Sequence, residues 1–302
     1  MRIAIVSPYD LDVVGGVQAH VHALAAALHR SGDETIVLGP GRRDGSDRSS
    51  DGGPAVLGVG GSIPVPANGS RAPLALDPRA ALRLRRLLRD VRPDVVHVHE
   101  PLVPLIGPAA VRALDAARVF TFHASAEGGT LPRLYRALRG PARRFVAQAD
   151  VLTAVSPVAA AFHARMLGLD VTRLEIVPNG VDVARFAARA GADRTAPDAR
   201  GDARGDARGT EHGCLLVFLG RLEHRKGADV AVRAFLRLAA ERPQVRMRVL
   251  GDGPMAPVLE RLRAAAPSDV AARLELFGRA DPQELPGLLA AADVAALYAL
   301  KN

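Results

Sequence analysis

The chain's 302 residues are enough for two domains and a large core, but that core is packed almost without rings: 48% of residues are hydrophobic, 4% aromatic, and none is Trp. Ala, Val, Leu and Gly must do the packing, which suits helices on parallel sheets and argues against a β-sandwich. A net charge of +8 fits an anionic partner, and the single Cys214 excludes an internal disulfide or a thiolate cluster and fits a reducing compartment.

Met1-Arg2 leads directly into an apolar run stopped by Pro8, too short for a secretory signal, and no apolar run reaches membrane-spanning length. A cytoplasmic chain, free or attached to a membrane face, is expected. Arg2 to Ser7 reads as the first strand. The loop from Pro8 through Gly15-Gly16-Val17-Gln18 then enters a long helix with Val21, Leu24, Ala25 and Leu28 on one face. Glycines at such a turn let an anion approach a helix N-terminus, but this is not Gly-x-Gly-x-x-Gly, so a nicotinamide site has little support. Thr35 to Leu38 is a second strand. Gly41 to Gly61 reads as an irregular glycine-rich loop, and Asn68-Gly69 marks a turn within Pro66 to Arg71. A basic amphipathic helix follows from Pro78 to Val91. Leu84, Leu87, Leu88 and Val91 share one face, and Arg79, Arg83, Arg85, Arg86 and Arg89 take much of the remainder. On the residues alone, the apolar stripe belongs in the core; the alternative is a helix lying on anionic lipid.

Four further strands run Asp94 to His99, Val119 to Phe122, Val151 to Val155 and Leu174 to Val177. Alternation with helices at this spacing predicts a doubly wound parallel sheet. His123, just past its strand, falls on the carboxyl rim where such sheets bind ligands. His97, inside its strand, reads as a hydrogen-bonded structural residue; His99 and Glu100 fit either role.

Residues 190–213 carry three Asp-Ala-Arg-Gly repeats and read as a disordered linker between a domain at 1–189 and another at 214–302. Cys214 to Leu219 is a buried strand that ends in Gly220-Arg221-Leu222-Glu223-His224-Arg225-Lys226-Gly227. The helix beyond is expected to present Val230, Ala234, Phe235 and Leu238 on one side. Arg221 and Lys226 beside backbone N–H groups suit a diphosphate; taken alone, the stretch fits a solvated basic turn equally well. Strands at Arg246 to Leu250, Leu274 to Phe277 and Val294 to Leu297 follow, with helices around Leu259 and from Pro282 to Ala291. Four strands are fewer than a doubly wound domain normally has, so a premature terminus at Asn302 is expected.

Taken together, these stretches resemble the retaining glycosyltransferases of family four, with the two-domain GT-B fold, and among them the actinobacterial phosphatidylinositol mannosyltransferases. The matching residues are Pro8-Tyr9, Asp12-Val13, Gly15 to Gln18, Pro66, Asn68 to Ser70, His97 to Pro101, Thr121 to His123, Pro178 to Asp182, and Gly220-Arg221 with Lys226-Gly227. The resemblance implies mannose transfer from GDP-mannose to an anionic phosphatidylinositol-type lipid, at the inner membrane face. It implies no nucleic acid partner, and no metal, since Arg and Lys stand in for a divalent cation. Gly16 would meet the donor diphosphate from the amino-terminal side and Arg221 and Lys226 from the other, with Arg279 also on the donor side. His123 would sit beside the reacting sugar. Tyr9, Asp12, Gln18, Asn68 and Arg71 would line the acceptor site, and the helix from Pro78 to Val91 would contact the membrane. Four features depart from the family pattern, the first being that the family's basic residue falls two positions beyond Arg71. Ala124, Ala126, Gly128 and Gly129 replace a polar continuation after His123. Pro282 stands where a guanine-reading carboxylate is expected, with Asp281 and Glu284 as substitutes. The family's paired glutamates would lie beyond Asn302, which leaves an inactive chain that at most binds nucleotide or membrane as one alternative; a related transferase using UDP-glucose or another sugar nucleotide on a soluble acceptor is the other.

Overall fold

A computed structural model describes residues 1–13, 15–41, 52–67, 70–112, 115–124, 138–190 and 213–296. The chain divides into two compact units, Met1–Val181 and Asp182–Asn302. The division lies ahead of the expected boundary at 189, because the helix α6 (Val183–Ala190) packs on α10 (Leu285–Ala290) of the second unit and Arg185 donates to the carbonyl of Pro282. The expected linker at 190–213 falls, apart from its two ends, outside the described residues.

In the first unit β1 (Arg2–Val6) is followed by α1 (Gly16–Arg30), β2 (Glu34–Gly39) and β3 (Ala55–Gly58). An antiparallel hairpin of β4 (Ile63–Ala67) and β5 (Ser70–Leu74) precedes α2 (Pro78–Val91) and β6 (Val95–His99). Then come α3 (Ile106–Val111), β7 (Ala117–Phe122), α4 (Arg139–Val146), β8 (Val151–Ala154), α5 (Pro157–Leu167) and β9 (Glu175–Ile176). The described residues form one seven-stranded sheet in the order β3-β2-β1-β6-β7-β8-β9, with every pair parallel. The order turns back between β1 and β6, and the loops leaving β1, β6 and β7 therefore gather at a topological switch point.

β3 overturns the expectation of an irregular loop from Gly41 to Gly61. Its apolar stretch is only four residues long and flanked by glycines, yet it pairs with β2 from Ile36↔Ala55 to Gly39↔Gly58. The turn expected at Asn68-Gly69 lies outside the described residues; its flanks, Ala67 and Ser70, are partners in the hairpin.

Alternation along the strands sends side chains to two faces. On one, Ala4, Val6, Leu38, Val96, Val98, Phe120 and Phe122 pack with Ala80, Leu84 and Leu88 of α2. On the other, Ile3, Ile5, Val37 and Val56 pack with Val21 and Ala25 of α1. Leu84 and Leu88 are fully buried, while Leu87 and Val91 also lean on this core. The apolar stripe of α2 is therefore occupied by protein, and the idea that it meets lipid is corrected. What remains outward is charge, with Arg79, Arg83, Arg86 and Arg89 exposed and Arg85 partly buried. Asp77 caps this helix by accepting from Arg79 N at 2.9 Å, with Pro78 at its first position.

The second unit holds β10 (Cys214–Leu219), α7 (Ala228–Glu241), β11 (Val245–Leu250), α8 (Ala256–Ala264), α9 (Ser268–Ala271), β12 (Leu274–Gly278), α10 and β13 (Val294–Ala296). Its described strands form a parallel sheet in the order β12-β11-β10-β13. The face of α7 differs from the expected one: Ala228, Val232, Phe235 and Ala239 are buried, while Val230 and Leu238 are 44% and 40% exposed. Both sets fit a helical period, and only the one that lands on Met247 and Val249 of the sheet finds a core. The helix expected from Pro282 to Ala291 shortens to α10, because Asp281 folds over the preceding turn and accepts from Gln283 N at 2.7 Å.

Candidate active site

The loop after β1 is tied down by its own backbone. Tyr9 N donates to Ser7 Oγ, Leu11 N to the Pro40 carbonyl, and Gln18 Nε2 to the Asp10 carbonyl at 3.1 Å. Gln18 is buried, with its amide folded against Gly15; a Cβ at Gly15 would lie 2.3 Å from Gln18 Oε1. A side chain at Gly15 would therefore have to displace the Gln18 amide from its bond to the Asp10 carbonyl. A Cβ on Gly16, by contrast, would meet nothing within 4 Å. Gly16 opens α1, so the space its missing side chain leaves lies over unpaired helical N–H groups.

Asp12, expected at the acceptor site, lines a cavity of about 400 Å³ together with Asp10, Val13, Gly41, Gly61 and Ser62. Asp10 escaped the sequence reasoning, and it organises this cavity: its carboxylate accepts from Asp12 N at 3.0 Å and from the Ser62 hydroxyl at 2.5 Å. Tyr9 bridges to Leu74 at the base of the hairpin. Arg71 stands on β5 opposite Pro66, and Asn68 lies outside the described residues.

Beside this loop the polar residues of β6 and β7 meet α1. The register pairs His99 with Thr121, which leaves His123 two residues past the rung. His99 Nδ1 and His123 Nε2 are hydrogen-bonded at 2.8 Å. His97 Nε2 bonds Thr121 Oγ1 at 2.6 Å, and Thr121 Oγ1 bonds Thr153 Oγ1 at 2.6 Å, the structural role expected for His97. His97 stacks on His99 with centroids 4.4 Å apart, and His20 of α1 meets His99 and His123 edge-on at 5.6 and 5.4 Å. Glu100 is buried and accepts from the backbone N–H groups of His123 and Ala124 at 2.8 and 2.6 Å. It sits at a left-handed φ of 47°, a conformation that costs energy for a residue with a Cβ and concentrates at functional sites. Thus His99 and Glu100 both support His123, one through its ring and one through its backbone.

Burial comes first among the causes that keep these rings uncharged, and mutual like-charge repulsion second. His97 is lowered to about 4 and His123 to about 3, while His99 lies well below the ordinary histidine value. Burial raises the Glu100 carboxyl, and its two backbone hydrogen bonds oppose that rise. At neutral pH His123 is a neutral hydrogen-bonding group.

His20, His99 and His123 each offer a ring nitrogen, and the three lie within 4.8 Å of one another. The donor set fits a bound cation poorly. His99 Nδ1 and His123 Nε2 already share an N–H···N bond at 2.8 Å. Tetrahedral ligands at a zinc-type distance stand about 3.3 Å apart and lean on outer-sphere acceptors. Among the described residues His99 Nε2 has no such acceptor.

In the second unit the loops after β10 and β11 interlock by backbone. Leu222 N donates to the Asp252 carbonyl and Met255 N to the Leu222 carbonyl. A Cβ on Gly251, at φ 151°, would stand 1.9 Å from the Gly220 carbonyl oxygen, so only glycine permits this approach. On that platform Arg221 is 48% exposed and pairs with Glu223 Oε1 at 2.9 Å; Arg225 Nε meets Glu223 Oε2 at 3.3 Å. Glu223 is buried, and sequence reasoning assigned it no role. Lys226 is partly buried in a single 3-10 turn, His224–Lys226, that Gly227 ends at φ 62° where α7 begins. Arg279 is exposed just beyond β12. Hence Arg221, Lys226 and Arg279 share the carboxyl edge of the second sheet, and Gly16 and His123 that of the first.

The chain matches the description "Glycosyltransferase Family 4" over residues 14–185 and "Glycosyl transferases group 1" over residues 213–301. It is 33% identical over 295 residues to the phosphatidyl-myo-inositol mannosyltransferase of Mycolicibacterium smegmatis, which covers 97% of this chain and 69% of that protein. To the enzyme of the same name from Mycobacterium tuberculosis (strain ATCC 25618 / H37Rv) it is 31% identical, covering 97% of this chain and 70% of that protein. Among solved structures, Anabaena Alr3699/HepE in complex with UDP-glucose superposes with a TM-score of 0.69 at 17% identity, over 99% of this chain and 74% of that one.

Proposed function

Because this chain belongs to glycosyltransferase family 4, as the match over residues 14–185 and relatives above 30% identity establish, we propose that it transfers mannose from GDP-mannose to a phosphatidylinositol-type lipid, with retention at the anomeric carbon. The observation that carries this reading is the similarity to phosphatidyl-myo-inositol mannosyltransferases over 97% of the chain. In the reaction the bond from the sugar carbon to the diphosphate oxygen breaks, a bond to the acceptor hydroxyl forms, and the hydroxyl proton leaves with GDP.

Each part of the chemistry has a residue suited to it. In the second unit the cations Arg221, Lys226 and Arg279 suit the donor diphosphate, whose charge rises as the bond breaks, and in the first the open N-terminus of α1 at Gly16 suits an anion. Preorganised donors serve that transition state better than the ground state. His123, neutral and held by His99 and Glu100, hydrogen-bonds the reacting sugar. The cavity of Asp10, Asp12 and Ser62 presents oxygens for the hydroxyls of a polyol acceptor, with Tyr9, Gln18, Asn68 and Arg71 around it. The exposed arginines of α2 hold the protein to an anionic membrane face. No described helix is long and apolar enough to cross a membrane. No divalent cation is required where arginine and lysine meet the diphosphate.

One feature favours a second reading, transfer from another sugar nucleotide to a soluble acceptor: Pro282 stands where a guanine-reading carboxylate is expected, and Asp281 is spent on its own turn. Incubation with labelled GDP-mannose and phosphatidylinositol vesicles decides between them. Labelled lipid is the expected product. Label appearing only from UDP-glucose, or only on a water-soluble sugar, would overturn the substrate assignment.

A further inference from the structure

A neutral imidazole carries one proton on two nitrogens, so it donates on one side and accepts on the other. The 2.8 Å contact between His99 Nδ1 and His123 Nε2 holds a single proton, and the two rings can share it in only two ways. In the first, His99 donates from Nδ1, its own Nε2 is a bare lone pair, and His123 carries its proton on Nδ1. In the second, His123 donates from Nε2, and His99 must then carry its proton on Nε2.

The surroundings of His99 distinguish the two. The ring is 0% exposed, and among the described residues Nε2 is buried without a hydrogen-bond partner. The first arrangement leaves an unused lone pair there; the second leaves a buried N–H group with no acceptor among the described residues. Orphaned N–H groups are the rarer of the two in folded proteins. His99 cannot turn Nε2 outward to escape. Its ring lies flat on His97, which Thr121 anchors at 2.6 Å, and His20 closes the other approach edge-on. Nor does a charged form replace either arrangement, since burial lowers both His99 and His123 far below neutrality. Glu100 fixes the backbone of His123 through two N–H bonds, so the ring meets its partner at a set distance.

We infer that His99 is a positioning residue: by donating from Nδ1 it locks His123 in the Nδ1–H tautomer, so that His123 offers the substrate a neutral N–H donor and no proton-accepting nitrogen. The inference rests on the transferase reading for its purpose, because a donor aimed at an oxygen of the bound sugar is what the transfer uses. His123 is thereby excluded as a general base toward the acceptor hydroxyl, and the proton of that hydroxyl must leave by way of the departing diphosphate. The tautomer itself is a property of the free protein.

The test is a nitrogen–proton correlation spectrum of the whole chain labelled with 15N-histidine, recorded without substrate at about pH 7 and assigned with single-histidine variants. The expected pattern for both His99 and His123 is a protonated Nδ1 and an unprotonated Nε2. A protonated Nε2 on His123 overturns the inference. Two variants carry the consequence into transfer. His99→Asn can still donate at the position of Nδ1 and should keep the Nδ1–H pattern on His123, with kcat lowered by no more than about tenfold. His99→Asp only accepts, pulls the His123 proton onto Nε2, and should lower kcat by about 100-fold or more while the donor KM changes little. A His99→Asp enzyme as fast as the unaltered one would overturn it. Failure of the transferase reading looks different: the unaltered chain transfers no sugar from any nucleotide, while the His123 tautomer remains Nδ1–H.

Discussion

The two sheets end in polar loops built on opposite electrostatics. In the first unit, four imidazoles are drawn beneath the strand ends and kept neutral, and what is specified is the position of single protons. In the second unit, charge is retained close to water, with Arg221 48% exposed and Glu223 as the buried carboxylate shared with Arg225. A buried neutral network is stiff, sensitive to pH and intolerant of a missing partner. Ion pairs whose arginines stay in contact with water are softer and partly screened by salt. In the proposed transfer the first loop would fix a sugar at a defined hydrogen bond, and the second would meet phosphate charge that grows during the step.

Removing one carboxylate from each unit should separate the two designs most widely. Glu100→Ala strands the N–H groups of His123 and Ala124 and is expected to cost about 3 kcal/mol. Glu223→Ala leaves two arginines that water can reach and is expected to cost less than Glu100→Ala. Urea unfolding of the two variants measures the gap, and equal losses would erase the distinction.

Acid should sharpen the contrast more gently. His97 and His163 titrate at about 4 in the folded chain against 6.5 for an ordinary histidine. Between those values the unfolded chain binds more protons, so stability falls as pH drops through that window. From about pH 7 to about pH 5 each of these histidines removes about 2 kcal/mol. Hydrogen exchange resolved by segment should show β6, β7 and α5 losing protection at the lower pH while β10 and β11 keep theirs; a uniform response along the chain would contradict it.

How far the sequence could be read follows the same divide. The strands that carry the fold are legible because each buried parallel strand is a short apolar run closed by Gly, Pro or a polar pair, as from Arg2 to Ser7 or Cys214 to Leu219. Four-residue β3 is not, since Ala55 to Gly58 between glycines looks like loop until β2 lies beside it. The face of α7 was ambiguous because Val230 and Leu238 obey the helical period as well as Val232 and Phe235 do, and only the sheet decides between them. His123 could be placed from its position one step beyond a strand. Its partnership with His99 could not, because it depends on the register of β6 against β7 and on a ring delivered by α1. Asp10 and Glu223 were passed over for a related reason: each works through neighbours that the fold, not the chain order, supplies.

The account stands most directly on His123. Transfer of labelled mannose from GDP-mannose to phosphatidylinositol vesicles should be measured for the unaltered chain and for His123→Ala, with GDP binding followed by calorimetry on both. The account predicts labelled lipid from the first, a loss of about 100-fold or more in kcat from the second, and GDP affinity alike in the two. A His123→Ala protein that transfers mannose as fast as the unaltered chain would contradict it.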